Sequence, residues 1–162
     1  MPSSSSLLIR RLTESDLSIM DELMTVFAEV FGEPETYRGA VPSAAYLRRL
    51  LAKDHFIVLV AMKDGAVIGG LAAYELEKFE QERSEIYIYD LAVASAHRRE
   101  GIATALIEES KRIAAERAAW VVFVQADHGD EPAIRLYSKL GAREDVLHFD
   151  IAVDDAAPGT RN

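Results

Sequence analysis

The sequence predicts a protein of mixed α and β structure (α/β, in the broad sense that includes α+β). It is expected to have a single domain built on one central mixed β-sheet. Its 162 residues, 49% of them hydrophobic, suffice for one domain with a buried core. Segments with strand and helix periodicity follow one another in the order β-α-α-β-β-β-α-β-α-β. Three consecutive strands followed by a strand–helix–strand crossover imply a sheet that is antiparallel at first and parallel at its centre.

The first half of the chain is expected to contain three strands, two helices and one long loop. Thr13 followed by Asp16 makes a capping-box-like start for the first helix. Asp64-Gly65 is a dipeptide typical of the turn in a β-hairpin. The loop carries two prolines and two glycines, which favour irregular backbone. In order, we expect a strand at 7–12, a helix at 14–30, the loop at 32–42, a helix at 43–53, and strands at 55–63 and 66–77.

The second half is expected to alternate strands with helices. Pro132 lies in the first turn of the last helix, and Gly141 follows where a left-handed glycine commonly ends a helix. The strand at 120–127 is almost entirely apolar, which is typical of a strand buried on both faces. We expect strands at 84–93, 120–127 and 144–153, helices at 102–118 and 131–140, one domain over 1–153 and a flexible tail over 154–162.

The charge and the residue composition exclude several classes of function. A formal net charge of −9 and a pI near 4.9 argue against nucleic acid as a partner and suit a cationic ligand, although acidic side chains also serve solubility alone. Because the chain has no cysteine, it forms no disulfide, thiolate metal site or cysteine acyl intermediate. No apolar run is long enough to span a bilayer and no leader peptide is evident, so we expect a cytoplasmic protein without a membrane partner.

One short stretch, HRREGIATAL at 97–106, is basic within this acidic chain. Arg98, Arg99 and Gly101 come between a predicted strand and a predicted helix, where free backbone amides and the helix dipole favour an anion. Gly101 lets the backbone approach a phosphate closely. The stretch lacks the Gly-Lys-Ser/Thr of a nucleotide-hydrolysing loop and the three glycines of a dinucleotide fingerprint. It predicts either a phosphate-binding helix start or a plain surface helix with solvated arginines.

Three motifs in this order resemble those of the GNAT superfamily of N-acetyltransferases. They are a strand ending in Leu91-Ala92-Val93, the sequence R-x-x-G-x-A at 98–103, and A-x-x-x-Y-x-K-x-G at 133–141. A narrower similarity is to the aminoglycoside 3-N-acetyltransferases of the gentamicin type. It rests on the segments 78–93 and 124–141 and on the tetrapeptide HFDI at 148–151. The first third of the chain matches that group less distinctively.

The resemblance implies a GNAT fold that uses acetyl-CoA as co-substrate and needs no metal. In the family, the loop amides hold the pyrophosphate, the strand before the loop pairs with the pantetheine arm, and a tyrosine approaches the CoA sulfur as hydrogen-bond donor or general acid. Asp130 stands where many relatives have an asparagine that contacts the pantetheine. The implied cofactor-binding residues are Leu91, Ala92, Val93, Arg98, Arg99, Glu100, Gly101, Ile102, Ala103, Thr104, Asp130, Ala133 and Tyr137.

Acetyl transfer to an amine also needs a group that takes the proton of the amine. Strand alternation places Asp90 on one face with Ile86, Ile88 and Ala92, where an unpaired carboxylate would have a raised pKa. A cationic amine would be a suitable partner for this carboxylate. A structural hydrogen bond from a neighbouring loop would serve equally well, and both interpretations stay open.

The predicted last strand offers a second carboxylate. Alternation puts its apolar residues in the core and points His148 and Asp150 together to the other side. Asp150 is the better candidate for orienting or deprotonating the amine, with His148 as an alternative base. An H-x-D pair without a third ligand is weak evidence for a metal. The expected core residues are Leu147, Phe149, Ile151 and Val153.

Together with the resemblance, these observations predict an acetyl-CoA-dependent N-acetyltransferase. It would acetylate an aminoglycoside antibiotic, at the 3-amino group, by direct attack in a ternary complex, and so confer resistance. The alternatives are a polyamine, another small amine or a protein amino group as acceptor, and a non-catalytic CoA-sensing module. A homodimer is compatible with the apolar strand edges. The expected catalytic residues are Tyr137, Asp150 and Asp90, and the expected substrate contacts are Asp90, Asp150, Glu85, Glu33 and His148.

Overall fold

The computed structural model describes residues 6–154, in two compact units of which the first ends at Gln125 and the second begins at Ala126. The tail predicted at 154–162 lies outside the described residues apart from Asp154, and the single domain over 1–153 stays a prediction. The strands are β1 (Leu8–Arg11), β2 (Phe56–Lys63), β3 (Ala66–Lys78), β4 (Arg83–Val93) and β5 (Ala119–Val124). The helices are α1 (Leu17–Phe31), α2 (Pro34–Arg38), α3 (Ala44–Leu51), α4 (Ile102–Glu116) and α5 (Glu131–Leu140), with a 3-10 turn at Ser95–His97.

The first unit is built on one five-stranded mixed sheet in the order β1-β2-β3-β4-β5. The strands β1 to β4 pair antiparallel in succession, and β5 pairs parallel to β4 after the α4 crossover. The predicted α/β class and the mixed sheet are confirmed. The parallel pair lies at the edge of this sheet rather than at its centre, because the described residues add no strand beyond β5.

The hairpin between β2 and β3 has the predicted turn. Asp64 and Gly65 have φ angles of 50° and 77°, so both adopt the left-handed region that a two-residue type I′ turn requires. The turn sets the register in which Lys63 lies opposite Ala66. Local backbone chemistry is therefore enough to place this hairpin.

Helices cover both faces of the sheet in the first unit. On one face, Leu23 of α1 belongs to the same buried cluster as Val58 and Val60 of β2. The alternate residues of β2, such as Leu59, point to the opposite face, where α4 packs with Leu106 completely buried. This packing fixes β4 and the start of α4, which carry the candidate site.

The helix α1 begins at Leu17 rather than at residue 14, because Asp16 is bound to the turn before it. The Asp16 carboxylate accepts hydrogen bonds from the Thr13 N–H at 2.7 Å and from two Arg10 guanidinium nitrogens at 2.8 and 3.1 Å. These donors, Arg10 foremost, lower the pKa of Asp16 to about 2. The predicted helix start at Thr13 is wrong, since Asp16 itself occupies the N-cap position.

The segment predicted as a loop at 32–42 contains a helix, α2. Gly32 ends α1 with a φ of 65°, in the left-handed region, and Pro34 occupies the first turn of α2. The glycines and prolines of this segment mark helix boundaries rather than continuous irregular backbone. The short helix brings Tyr37 to the sheet.

The prediction of a strand at 144–153, in the second unit, is wrong. Residues 142–152 carry neither helix nor strand, and the apolar side chains that we expected in the core are exposed. A strand needs a neighbour to satisfy its N–H and C=O groups, and the described part of the second unit contains no other strand. The exposed fractions are 82% for Leu147, 75% for Phe149 and 89% for Ile151, and Val153 is fully exposed.

The apolar strand β5 is an edge strand and is not buried on both faces. It is shorter than predicted, most of its side chains are partly buried, and Trp120 is exposed. The sheet of the described strands ends at β5, so its outer edge has no strand beside it. This position explains why an almost entirely apolar sequence is only partly covered.

The ion pair between Arg10 and Asp16 should make stability depend on pH. Asp16→Asn keeps an acceptor oxygen but removes the charge, and we expect it to lower the free energy of unfolding by about 1–2 kcal/mol near neutral pH. Because folding lowers the Asp16 pKa from 3.8 to about 2, this stability is full above the unfolded value and is lost as the pH falls through about 2.

Urea unfolding of the wild type and Asp16→Asn at about pH 7 and about pH 3 measures this effect. The difference between the two proteins should shrink by roughly half at the lower pH. Asp21→Asn is the matched control, because the ion pair between Asp21 and Arg38 is far more exposed. A difference for Asp16→Asn that is the same at both pH values would contradict the prediction.

Candidate functional site

The strand β4 has an open backbone edge at its C-terminal end. Its pairing with β5 runs only from Ser84 to Ile88, whereas its pairing with β3 continues to Val93. Beyond Ile88, the backbone groups that point away from β3 therefore have no partner strand among the described residues. Leu91, Ala92 and Val93, which we predicted to pair with a pantetheine arm, lie along this open edge.

A β-bulge at Tyr89 changes which face of the sheet Asp90 occupies. Ala73 of β3 lies opposite Ile88 and Ala72 lies opposite Asp90, so Tyr89 is the extra residue. The bulge reverses the alternation of β4, which puts Asp90 and Ala92 on the face covered by α1 and leaves Ile86 and Ile88 on the other. The prediction that Asp90 shares a face with Ile86 and Ile88 is therefore wrong.

The carboxylate of Asp90 receives a hydrogen bond from a tyrosine in the segment that we predicted as a loop. The Tyr37 hydroxyl, on α2, donates to Asp90 Oδ1 at 2.9 Å. The ring of Tyr37 packs against Phe27 and Phe31 of α1, with centroids 5.7 and 5.6 Å away. The sequence left open a cationic amine or a structural hydrogen bond as the partner of Asp90. The structure contains the hydrogen bond, and it comes from the segment that we predicted as a loop.

The surroundings of Asp90 are acidic and partly desolvated. Burial raises the pKa of the Asp90 carboxyl, the Tyr37 hydrogen bond opposes that rise, and the nearby Glu33 carboxylate adds to it. Glu33 precedes α2, and its Oε2 is buried without a hydrogen-bond partner among the described residues. We call Glu33, Tyr37 and Asp90 the acidic recess. Its chemistry suits an ammonium group, which would neutralise charge there, or a proton transfer from one.

The start of α4 has the local geometry of an anion site. Arg99 and Gly101 have φ angles of 65° and 76°, and Gly101 is the N-cap. No side chain in the described residues caps this helix, so the first amides remain free as donors. A Cβ at Gly101 would meet nothing within 4 Å, so the glycine is required by its φ angle and the space above it is open. Free amides and open space fit a phosphate group.

Glu100 is held by a histidine and a lysine, although it lies within the basic stretch. Its carboxylate contacts His97 Nδ1 at 3.0 Å and Lys63 Nζ at 3.3 Å. These contacts, His97 foremost, lower the pKa of Glu100. By contrast, the guanidinium groups of Arg98 and Arg99 form no ion pair within residues 6–154. The arrangement neutralises the one carboxylate of the stretch and leaves both arginines available.

In the second unit, Asp130 caps α5. Its Oδ1 accepts a hydrogen bond from the Ala133 N–H at 3.3 Å, so both predicted cofactor contacts take part in the helix cap. Burial, with a smaller effect of Asp130, raises the pKa of Tyr137 to about 12. Tyr137 is half-buried, as its place on the apolar stripe of α5 predicts. Gly141 ends the helix with a φ of −152°, which is extended and not left-handed.

The histidine and aspartate of the last segment contact each other. His148 Nε2 lies 2.9 Å from Asp150 Oδ1, and both side chains are exposed. They point the same way, although the segment is not a strand. In the first unit, Glu85 accepts a hydrogen bond from Trp120 Nε1 at 3.3 Å, which ties this predicted substrate contact to β5.

Tyr37 is the residue of the recess that sequence reasoning missed. It lies 53 positions from Asp90, and no local pattern links the two. Pro34 at a helix start and Gly39 after Arg38 would have indicated the short helix that carries it. No group of three or more His, Cys, Asp or Glu side chains within 6–154 is placed to hold a metal ion. Over the same residues, no helix is long and apolar enough to cross a membrane.

Comparison with known proteins identifies acetyltransferases. A model of the acetyltransferase (GNAT) family matches residues 17–142. The aminoglycoside acetyltransferase HMB0005, from an uncultured soil metagenomic sample, is 60% identical, with a TM-score of 0.90 covering 92% of this chain and 99% of that chain. A second aminoglycoside acetyltransferase from such a sample, meta-AAC0020, was solved in complex with sisomicin. It is 35% identical, with a TM-score of 0.84 covering 91% and 97%.

A curated relative from Bacillus subtilis (strain 168), the uncharacterized N-acetyltransferase YhfO, is 25% identical over 143 residues, 87% of this chain and 94% of that protein. The family match covers most of the chain, including β4, the start of α4 and Tyr137. The motifs at 91–93 and 98–103 lie within the matched residues. The chain belongs to the GNAT family of acetyltransferases, which use acetyl-CoA.

Proposed function

We propose that this protein is an aminoglycoside N-acetyltransferase that acetylates the 3-amino group and thereby confers resistance. The observation that carries the proposal is the position of Asp90, which lies in the acidic recess and directly precedes the open backbone of Leu91 to Val93. An ammonium group in the recess would be attracted by two carboxylates and would lie beside that strand. The similarity to HMB0005 and meta-AAC0020, both aminoglycoside acetyltransferases, supports this acceptor class.

The co-substrate, acetyl-CoA, supplies the acetyl group as an activated thioester. We assign its pyrophosphate to the backbone amides from Gly101 to Thr104, with Arg98 and Arg99 adding positive charge. The pantetheine arm is assigned to the open edge at Leu91 to Val93. The free amides, the open space above Gly101 and the unpaired guanidinium groups support this assignment.

The acetyl group passes directly to the amine, because the chain has neither a cysteine nor a G-x-S-x-G motif to carry it. The new nitrogen–carbon bond forms as the carbon–sulfur bond breaks. Asp90 or Asp150 takes the proton that the amine loses, and Tyr137 gives a proton to the departing sulfur. A phenol whose pKa is raised to about 12 stays protonated at neutral pH, which suits a proton donor.

Three finer predictions belong with this function. In addition to the residues of the acidic recess, Glu85 and His148 remain assigned as contacts of the polycationic substrate. The reaction is placed in the cytoplasm. A homodimer would cover the outer edge of β5, which has no partner strand among the described residues.

Release of thiol from acetyl-CoA tests the acceptor. The protein contributes no thiol of its own, since it has no cysteine. We expect turnover with gentamicin or sisomicin and little turnover with spermidine, which carries amines but lacks the sugar hydroxyls. NMR of the acetylated product identifies the modified nitrogen. Turnover with spermidine but not with gentamicin would replace the aminoglycoside by a polyamine, and CoA binding without turnover on any amine would favour a sensing module.

The arginines of the loop should contribute to affinity for CoA. Arg99→Gln removes one charge beside the free amides and should weaken CoA binding about tenfold, the typical value of one charge-assisted hydrogen bond. Isothermal titration with CoA measures this change. Arg112→Gln is the control, because Arg112 lies on α4, away from its start, and is paired with Glu109 and Glu116. Equal affinities for the wild type and Arg99→Gln would show that Arg99 does not contribute to pyrophosphate binding.

The hydroxyl of Tyr137 should matter for the rate rather than for binding. Tyr137→Phe keeps the ring on the apolar face of α5 but removes the proton donor, and we expect kcat to fall by about 10²-fold with a nearly unchanged Kd for CoA. Steady-state kinetics and CoA titration measure both quantities. An unchanged kcat with the phenylalanine in place would exclude Tyr137 as the general acid.

A further inference from the structure

We propose that Tyr37 is the positioning residue of Asp90: its hydroxyl orients the carboxylate and keeps it ionised for the acceptor amine. This inference rests on the proposed function, in which Asp90 serves that amine. The distance of 2.9 Å between the Tyr37 hydroxyl and Asp90 Oδ1 is its geometric basis. The inference assigns a role in acetyl transfer to the helix α2, which lies outside the sequence motifs of the cofactor site.

The hydrogen bond from Tyr37 occupies only one oxygen of the carboxylate. It is the one side-chain hydrogen bond that Asp90 makes among the described residues. Asp90 Oδ2 is left for a ligand. A carboxylate whose first oxygen is fixed by a neutral donor presents its second oxygen in a defined direction, which is what an approaching ammonium group needs.

Among the described residues, Tyr37 is the only neighbour that favours the ionised form of Asp90. The ionisable groups of residues 6–154 around the carboxyl are Glu33 before α2, Tyr37 on α2, Tyr74 on β3 and Tyr89 at the bulge. Burial and the Glu33 charge raise the pKa of Asp90, and the Tyr37 hydrogen bond lowers it. No lysine or arginine of the described residues pairs with Asp90. Without the hydroxyl, the carboxyl would protonate at a higher pH.

Tyr37 is built as a stable donor. Its ring is held against Phe27 and Phe31, which limits its motion, and Pro34 sets the start of the helix that carries it. Burial and the neighbouring Asp90 and Glu33 charges raise the pKa of the Tyr37 phenol far above its ordinary value. The phenol therefore keeps its proton and donates a hydrogen bond to Asp90 throughout the pH range in which an acetyltransferase would be assayed.

Tyr37→Phe tests the inference, because it removes the hydroxyl and keeps the ring between Phe27 and Phe31. The readout is the pH profile of kcat/KM for gentamicin, which reports groups of the free enzyme and the free substrate. We expect the acidic limb to move to higher pH, with about a tenfold loss at pH values on that limb and a loss that diminishes as the pH rises above it. The KM for acetyl-CoA should not change.

Tyr46→Phe is the matched control. Tyr46 lies on α3, is exposed and contacts Arg49 through its ring, so loss of its hydroxyl should leave the profile unchanged. Melting temperatures of both variants separate packing from positioning. A purely structural Tyr37 would lower the melting temperature of Tyr37→Phe without moving the acidic limb, and that result would overturn the inference.

A titration without any acceptor separates this inference from the proposed function. Carbon-13 NMR follows the Asp90 carboxyl, assigned by the loss of its signal in Asp90→Asn, and its midpoint should rise in Tyr37→Phe. A midpoint that does not move would overturn the inference whatever the protein acetylates. A midpoint that rises while the gentamicin profile stays fixed would show that Asp90 does not serve the amine, which also overturns it. If gentamicin is not acetylated at all, the proposed function fails and the midpoint still decides whether Tyr37 controls Asp90.

Discussion

The β-bulge at Tyr89 is the constraint on which the candidate site depends. One extra residue in β4 reverses the alternation of its side chains, so that Asp90 faces α1 and α2 while Ile88 still packs on the α4 side. Pairing between β4 and β5 stops at Ile88, one residue before the bulge. The same irregularity therefore coincides with both halves of the site, a carboxylate turned toward Tyr37 and an open backbone edge from Leu91 to Val93.

The acidic balance of the chain is resolved into two local charge environments. At the start of α4, the first amides are free below an open space, Arg98 and Arg99 form no ion pair within residues 6–154, and Glu100 contacts His97 and Lys63. In the second environment, the acidic recess, no lysine or arginine of the described residues pairs with Asp90. An anionic phosphate and a cationic amine are each attracted to one of these environments. Net charge alone would have described only the second of them.

The aromatic packing of the first unit connects its core to the recess. Phe27 and Phe31 lie on α1, Phe27 is buried in the core, and both rings contact Tyr37. The hydroxyl of Tyr37 thus extends from a packed cluster to a titratable group, which explains how a five-residue helix can hold the Asp90 carboxylate in place. Tyr74 and Tyr89, in edge-to-face contact, border the same recess.

The amino-acid sequence alone predicted the features that depend on local backbone preference: the hairpin at Asp64-Gly65, the order of the elements up to α5 apart from the helix α2, and the glycine at the start of α4. It did so because φ preferences, helix caps and periodicity act over a few residues. The bulge at Tyr89 and the hydrogen bond between Tyr37 and Asp90 arise from tertiary packing, because strand register and contacts 53 residues apart depend on which surfaces compete for burial. The segment 144–153 shows the same limit, since an alternating sequence forms a strand only where a neighbour satisfies its backbone.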